Sequence, residues 1–255
     1  MQKNYLKGNI TFISGAYRNL GKCIALELAD KGSDIVVNDL PDTVTLSEKN
    51  EFLSQLKSKG VRAMAVDGDI SSLETVKAMR KKIIAELGKV TIVVNCAGPF
   101  DMSPYLELDE RKWDMVMNVN LKAIYITAKC FAPDMKEQGR GRIINLSAGS
   151  ALVRNHGVYG LAKAGVRFIT EELALELGPE ITVNAVSPGQ IEESLPLIHE
   201  IDPSFGERYT ERSPLKKLVT RKNVSELISS LCSPVADLIT GETIRIDGGA
   251  EIPRF

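Results

Sequence analysis

The chain has 255 residues, 44% hydrophobic and 25% charged, with a formal net charge of -1, which is an ordinary composition for a soluble, cytoplasmic globular protein of one large α/β domain or two small ones. So balanced a charge implies no general attraction to nucleic acid or to an anionic membrane. No apolar run is long enough to span a bilayer, and the polar first nine residues lack the apolar core of a signal peptide.

Residues 9–14 (NITFIS) read as a buried first strand. The loop Ser14-Gly15-Ala16-Tyr17-Arg18-Asn19-Leu20-Gly21 follows, leading into an amphipathic helix over 20–31. Strand, glycine turn and helix is the context that a dinucleotide-binding loop requires. Glycines let the backbone approach a pyrophosphate, and the helix N-terminus offers amide donors and the positive end of its dipole. A second strand, 34–39, ends in Asp39, 24 residues after Gly15. An acid there can accept hydrogen bonds from the ribose hydroxyls of NAD and would repel the 2′-phosphate of NADP, whereas Arg18 would attract that phosphate. Asp39 carries the greater weight, so NAD is the expected cofactor and NADP the alternative.

A helix over 45–59 and a strand over 61–66 come next, running into Asp67-Gly68-Asp69-Ile70. Ser71 or Ser72 caps a helix that ends near Leu87-Gly88. The strand 90–95 ends in Asn95-Cys96-Ala97-Gly98, small residues against which a flat ligand can lie. One long helix is expected over 109–136, carrying Asn118-Val119-Asn120. Strand 142–146 then ends at Ser147, helix 158–177 follows, and strand 181–187 leads into Pro188-Gly189. Residues 190–214, rich in prolines and charges, follow a strand on the ligand edge and read as a substrate-covering lid. A helix over 223–231 and a strand over 243–247, closed by Gly248-Gly249, complete the chain. Strands alternating with helices at this spacing imply βαβ units. The expected fold is a single doubly wound, Rossmann-type α/β domain over 1–255, with a mostly parallel seven-stranded sheet and helices on both faces.

Tyr159 and Lys163, four residues apart, share one face of the helix over 158–177. A lysine ammonium beside the phenol hydroxyl would lower its pKa and make it a general acid/base near neutral pH. Other candidates weigh less. His156 lies near the tyrosine and His199, Glu192 and Glu193 lie in the lid, while Trp113 and Met115 to Met117 are expected to pack a helix face. Two histidines and four scattered cysteines without a C-x-x-C pair supply neither a metal site nor a disulfide framework.

Taken in register, these motifs resemble those of the short-chain dehydrogenase/reductase family over essentially the whole chain. The resemblance rests on SGAYRNLG, Asp69-Ile70, Asn95 to Gly98, Asn120, Tyr159 with Lys163, Pro188-Gly189, and the closing ITGETIRIDGG. It implies a catalytic set of Asn120, Ser147, Tyr159 and Lys163. In it Tyr159 passes a proton to or from the substrate oxygen, Lys163 tunes Tyr159 and holds the nicotinamide ribose, and Asn120 supports a water-linked proton path. It also implies cofactor contacts from Ser14, Gly15, Arg18, Asn19, Leu20, Gly21, Asp39, Asp69, Ile70, Asn95, Ala97, Gly98, Lys163, Pro188, Gly189 and Ile191. A small-molecule substrate and a homo-oligomer, tetramer or dimer, follow from the same resemblance. Two departures stand out. Asn19 replaces the middle glycine of the family loop, and asparagine tolerates left-handed backbone better than most residues. The family's catalytic serine falls on Ala148 when counted from the strand and on Leu146 when counted back from Tyr159. Ser147, Ser150 or no serine then completes the site.

The leading functional reading is therefore interconversion of an alcohol and a carbonyl with NAD(P). Reduction of an activated C=C bond, as in enoyl-thioester reductases, and a non-catalytic dinucleotide-binding regulator are the alternatives.

Overall fold

The computed structural model describes residues 4–151, 157–200 and 202–252. Seven strands, β1 (Ile10–Ser14), β2 (Asp34–Asn38), β3 (Ala63–Ala65), β4 (Ile92–Asn95), β5 (Gly141–Leu146), β6 (Ile181–Pro188) and β7 (Thr243–Ile246), form one sheet in the order β3-β2-β1-β4-β5-β6-β7. Every neighbouring pair is parallel, with Ser14 opposite both Asn38 and Asn95. The chain winds outward from β1 in one direction and, from β4, in the other. The switch between β1 and β4 opens a crevice beyond the strands' carboxyl ends.

The inner strands are continuous apolar runs because both faces of the sheet are covered. On one face Ile24 and Leu28 of α1 (Asn19–Asp30) meet Val224 and Ile228 of α9 (Arg221–Leu231). On the other, α3 (Leu73–Glu86) and α5 (Ala123–Glu137) contribute Val76, Ile83, Ile126 and Phe131. The remaining helices are α2 (Leu46–Lys57), α4 (Glu110–Met117), α6 (Gly157–Leu177), α7 (Leu195–His199) and α8 (Phe205–Arg212). Among the described residues no helix is long and apolar enough to cross a membrane.

Three expectations are corrected. The helix expected over 109–136 is α4 and α5 joined by a π-helical turn, Asn118–Lys122, that contains Asn120; such turns concentrate at functional sites. The third strand is shorter than 61–66, three residues at the edge of the sheet. The segment 190–214, to which the sequence reading assigned no helix, contains a 3₁₀ turn (Glu192–Ser194), α7 and α8. Of the two candidate caps for α3, Ser72 serves, accepting the Thr75 N–H.

Phe131 is fully buried with its ring 5.0 Å from that of Phe12 on β1, linking α5 to the sheet. Phe131→Ala should lower the unfolding free energy by about 3–5 kcal/mol in denaturant titration, the usual cost of a large aromatic cavity. A loss below about 1 kcal/mol would mean that α5 is not anchored through this ring.

Candidate active site

The carboxyl ends of β1, β2, β4, β5 and β6 border one cleft of about 780 Å³. Gly15 and Gly21 hold its floor. Gly15 has a φ of +66°, and a Cβ there would lie 2.9 Å from the Ala97 Cα. A Cβ on Gly21 would lie 2.0 Å from the Gly15 carbonyl oxygen. Neither position admits a side chain. Asn19, at φ +49°, takes the left-handed conformation that its substitution for glycine anticipates. Helices α2, α3, α4 and α9 begin with side-chain caps, but α1 does not: Arg18 at its N-cap makes no capping bond. Uncapped amides and a helix dipole at the mouth of a cleft suit a pyrophosphate, so the residues present fit a dinucleotide.

Arg18, Asn19 and Leu20 line this end of the cleft with Asp39, Asp69 and Ile70. Asp39 Oδ1 accepts the Leu40 N–H at 2.9 Å and the Thr43 hydroxyl at 3.1 Å, which fixes its carboxylate at the end of β2. Ser14 and Asn95 do not line the cleft. The Ser14 hydroxyl accepts the Cys96 and Ala97 N–H groups, tying the end of β1 to the end of β4. Asn95 is buried in a polar network: its Nδ2 donates to Asn145 Oδ1 at 2.8 Å, its Oδ1 accepts from the Thr127 hydroxyl, and Asn145 donates to Thr170. These bonds join β4 and β5 to α5 and α6, the helices that carry the candidate chemistry.

Three side chains converge beyond Gly98. Asn120 is buried; its Nδ2 donates to the Pro99 and Val116 carbonyls, and its Oδ1 has no partner. Lys163 is 3% exposed, and its Nζ donates to the Leu146 carbonyl at 2.7 Å. A Cβ on Gly98 would lie 2.6 Å from Asn120 Oδ1 and 3.2 Å from Lys163 Nζ, so only glycine fits between them. Tyr159 lines the cleft with its ring edge-on to Phe100, 6.2 Å between centroids.

The ammonium that the sequence placed beside the phenol hydroxyl donates its hydrogen bond to a backbone carbonyl. Lys163 Nζ lies 5.5 Å from the Tyr159 ring centroid and is bound to the end of β5 instead. Burial pushes the Tyr159 phenol up to about 12, with Cys96 adding to the rise, and pulls Lys163 down to about 8. The four-residue spacing brings the pair together, but the charge goes to a backbone carbonyl.

Ser147 is also buried, and its hydroxyl donates to the Lys163 carbonyl at 3.0 Å. Ala148 follows it along the cleft wall. His156 lies outside the described residues, as does the Ser150 side chain. His199, Glu192 and Glu193 are exposed and do not line the cleft; Glu193 accepts the Arg221 N–H at the start of α9. Pro188, Gly189 and Ile191 do line it. Met115, expected on a packed helix face, is 44% exposed and borders the cleft with Asn118 and Val119, while Trp113 is 36% exposed. Positions 115, 118 and 119 share a helix face, and that spacing was the available signal. Cys96 and Pro99, beside the expected Ala97 and Gly98, complete the same wall.

A family model described as enoyl-(acyl carrier protein) reductase matches residues 15–251. Nodulation protein G of Azospirillum brasilense is 34% identical over 243 residues, covering 94% of this chain and 97% of its own. The 3-oxoacyl-[acyl-carrier-protein] reductase FabG of Staphylococcus epidermidis is 32% identical, covering 93% and 96%. A short-chain dehydrogenase/reductase of Hericium erinaceus, eriH, is likewise 32% identical, covering 94% and 96%. Among solved structures, a gluconate 5-dehydrogenase of Burkholderia cenocepacia in complex with NADP and tartrate superposes with a TM-score of 0.90 at 26% identity, covering 99% of each chain.

Because Lys163 has a lower pKa in the folded chain than in the unfolded one, the unfolded chain binds more protons between the two values. The Lys163 contribution to stability should therefore rise with pH in that window, by about 2 kcal/mol between about pH 8 and 10, read as the difference between wild type and variant because the buried Cys96 and Cys232 thiols, pushed up to about 12, contribute with the opposite sign. Denaturant unfolding of Lys163→Met should lack this rise; an equal rise in both proteins would place the buried charge elsewhere.

Proposed function

This chain belongs to the short-chain dehydrogenase/reductase family and is an NAD(P)-dependent oxidoreductase; within that family we propose that it interconverts a small-molecule alcohol and carbonyl, with Tyr159 as the proton donor in the reducing direction. The observation that carries the reading is the half-buried phenol at the cleft wall with Lys163 over its ring, protonated at neutral pH as tyrosine ordinarily is. A protonated phenol is the form a general acid needs. The cofactor supplies the hydride. The uncapped start of α1 and the glycines at 15 and 21 would hold its diphosphate end, and Lys163 on the cleft wall, with Asn120 buried behind Gly98, would hold the nicotinamide ribose. Asp39 favours NAD over NADP because its carboxylate repels a 2′-phosphate; Arg18, on the same wall, works against this preference.

In this reading Ser147 serves the backbone of α6, and Ala148 occupies the strand-end position, so the substrate oxygen is oriented chiefly by Tyr159. The description of the family model as an enoyl reductase keeps C=C reduction as a second reading. The close spacing of Tyr159 and Lys163 favours the carbonyl. Residues 190–214 act as the substrate cover. Leu161, Phe168 and Leu175 form a stripe along α6, 46%, 71% and 82% exposed. At seven-residue spacing they share one face, and we place the contact of a homo-oligomer there; Phe168→Glu should shift the molecular mass by light scattering towards the monomer, and an unchanged mass would remove that face.

Tyr159→Phe should cut turnover of ketoacyl or sugar-derived carbonyl substrates by about 10²–10⁴-fold while leaving NADH affinity within about twofold, read by fluorescence titration. Full turnover in the variant would sink the assignment. Ser147→Ala should cost about 1 kcal/mol of stability through its lost hydrogen bond and change kcat less than about tenfold. A loss like that of Tyr159→Phe would make Ser147 the substrate donor. Parallel assays of enoyl and ketoacyl thioesters separate the two chemistries.

A further inference from the structure

Two glycines that follow the ends of β5 and β6 are forced by side chains distant in sequence. Gly149 follows Ala148, and a Cβ on it would lie 1.5 Å from Glu251 Oε1. Gly189 follows β6, and a Cβ on it would lie 2.3 Å from the Tyr209 hydroxyl. Those two intruding atoms meet: the Tyr209 hydroxyl donates to Glu251 Oε1 at 3.3 Å. Tyr209 belongs to α8, inside the segment 190–214. Glu251 belongs to the turn after β7, which fixes its backbone firmly. The Glu251 N–H donates to Asp247 Oδ2 at 3.0 Å, and the Glu251 carbonyl accepts from Arg245 at 3.3 Å. One contact therefore joins the loop after β5, the turn after β6, the segment above them and the C-terminal turn.

We propose that Tyr209 and Glu251 form a clasp that positions residues 190–214 against the loop carrying Ala148, closed when the Glu251 carboxyl is neutral and loosened when it is ionised. The proposal rests on the reading of 190–214 as the substrate cover. Its geometric basis is the environment of the carboxyl. Oε2 is buried with no hydrogen-bond partner, Oε1 lies against the backbone of Gly149, and Asp247 sits in the same turn. A full negative charge there is poorly matched. Burial, with Asp247 next, pushes the Glu251 carboxyl up to about 7; the Tyr209 hydroxyl, Arg245 and Arg212 pull the other way and are outweighed. The closed clasp thus holds its proton more tightly than the open one, in which Glu251 is solvated. Closure is fully favoured below the ordinary glutamate range and is lost as pH rises towards about 7. Glu251 is a positioning residue in this account: it acts on substrate through α8 and the loop after β5.

The test is hydrogen–deuterium exchange of α8 in the full-length chain, corrected for the intrinsic pH dependence, at about pH 5.5 and 8.5. Wild-type protection should fall about tenfold or more between the two. Glu251→Gln, which carries a permanently neutral group, should keep the low-pH protection at both. Tyr209→Phe, which removes only the hydroxyl, should reduce protection at pH 5.5 and provides the check should Glu251→Gln not fold. NADH affinity in both variants should stay within about twofold of wild type, since neither side chain lines the cleft. Equal pH dependence in wild type and Glu251→Gln, or unchanged protection in Tyr209→Phe, overturns the clasp. Because exchange needs no substrate, a chain without carbonyl turnover but with this pH pattern would refute the proposed reaction and keep the clasp. Normal turnover without the pattern would do the reverse.

Discussion

A buried ammonium must find an acceptor, and the hydrogen bond from Lys163 to the carbonyl of Leu146 is the interaction around which this site is arranged. It fixes α6 against the end of β5, and the return bond from the Ser147 hydroxyl to the Lys163 carbonyl locks the same junction from the other side. Gly98 has no side chain because Asn120 and Lys163 take the space. Behind them, the Asn95, Asn145, Thr127 and Thr170 network holds β4 and β5 to α5 and α6. A satisfied buried network of this kind specifies one arrangement. Tyr159 is placed by all of these bonds, none of which it makes itself.

The position of the lysine also decides what the tyrosine can do. With Lys163 bound to the backbone, desolvation dominates the phenol, and its proton stays on at neutral pH. A phenol so raised is a weaker acid than free tyrosine, and its phenolate, formed only at high pH, is the stronger base. An alcohol oxidation that uses the phenolate as base should therefore depend more steeply on pH than a carbonyl reduction that uses the phenol as acid. An ammonium brought nearer to the phenol oxygen would narrow that difference.

Much of this was legible in the sequence because it was written in backbone requirements. Gly15, Gly21 and Gly98 mark positions where a Cβ has no room, and continuous apolar runs mark strands covered on both faces. Asn19 could be assigned a left-handed conformation because few other side chains tolerate one. What the sequence could not show was where a polar atom finds its partner. Helical spacing placed Tyr159 near Lys163 but could not say that a strand-end carbonyl would win the ammonium. The π turn at Asn118–Lys122 carries no distinctive residue types, and its wall residues were visible only as a helix face. Tyr209 and Glu251 lie 42 residues apart, and only the fold brings them together.

The most direct test is the titration of Tyr159 itself. Tyrosine labelled with ¹³C at Cζ, with the resonance assigned through the Tyr159→Phe variant, reports the ionisation of this phenol without any substrate. The account predicts that in the cofactor-free protein it stays protonated until about pH 12. Ionisation below about 9, under the reference value for tyrosine, would contradict it and show that the ammonium, not burial, governs the phenol.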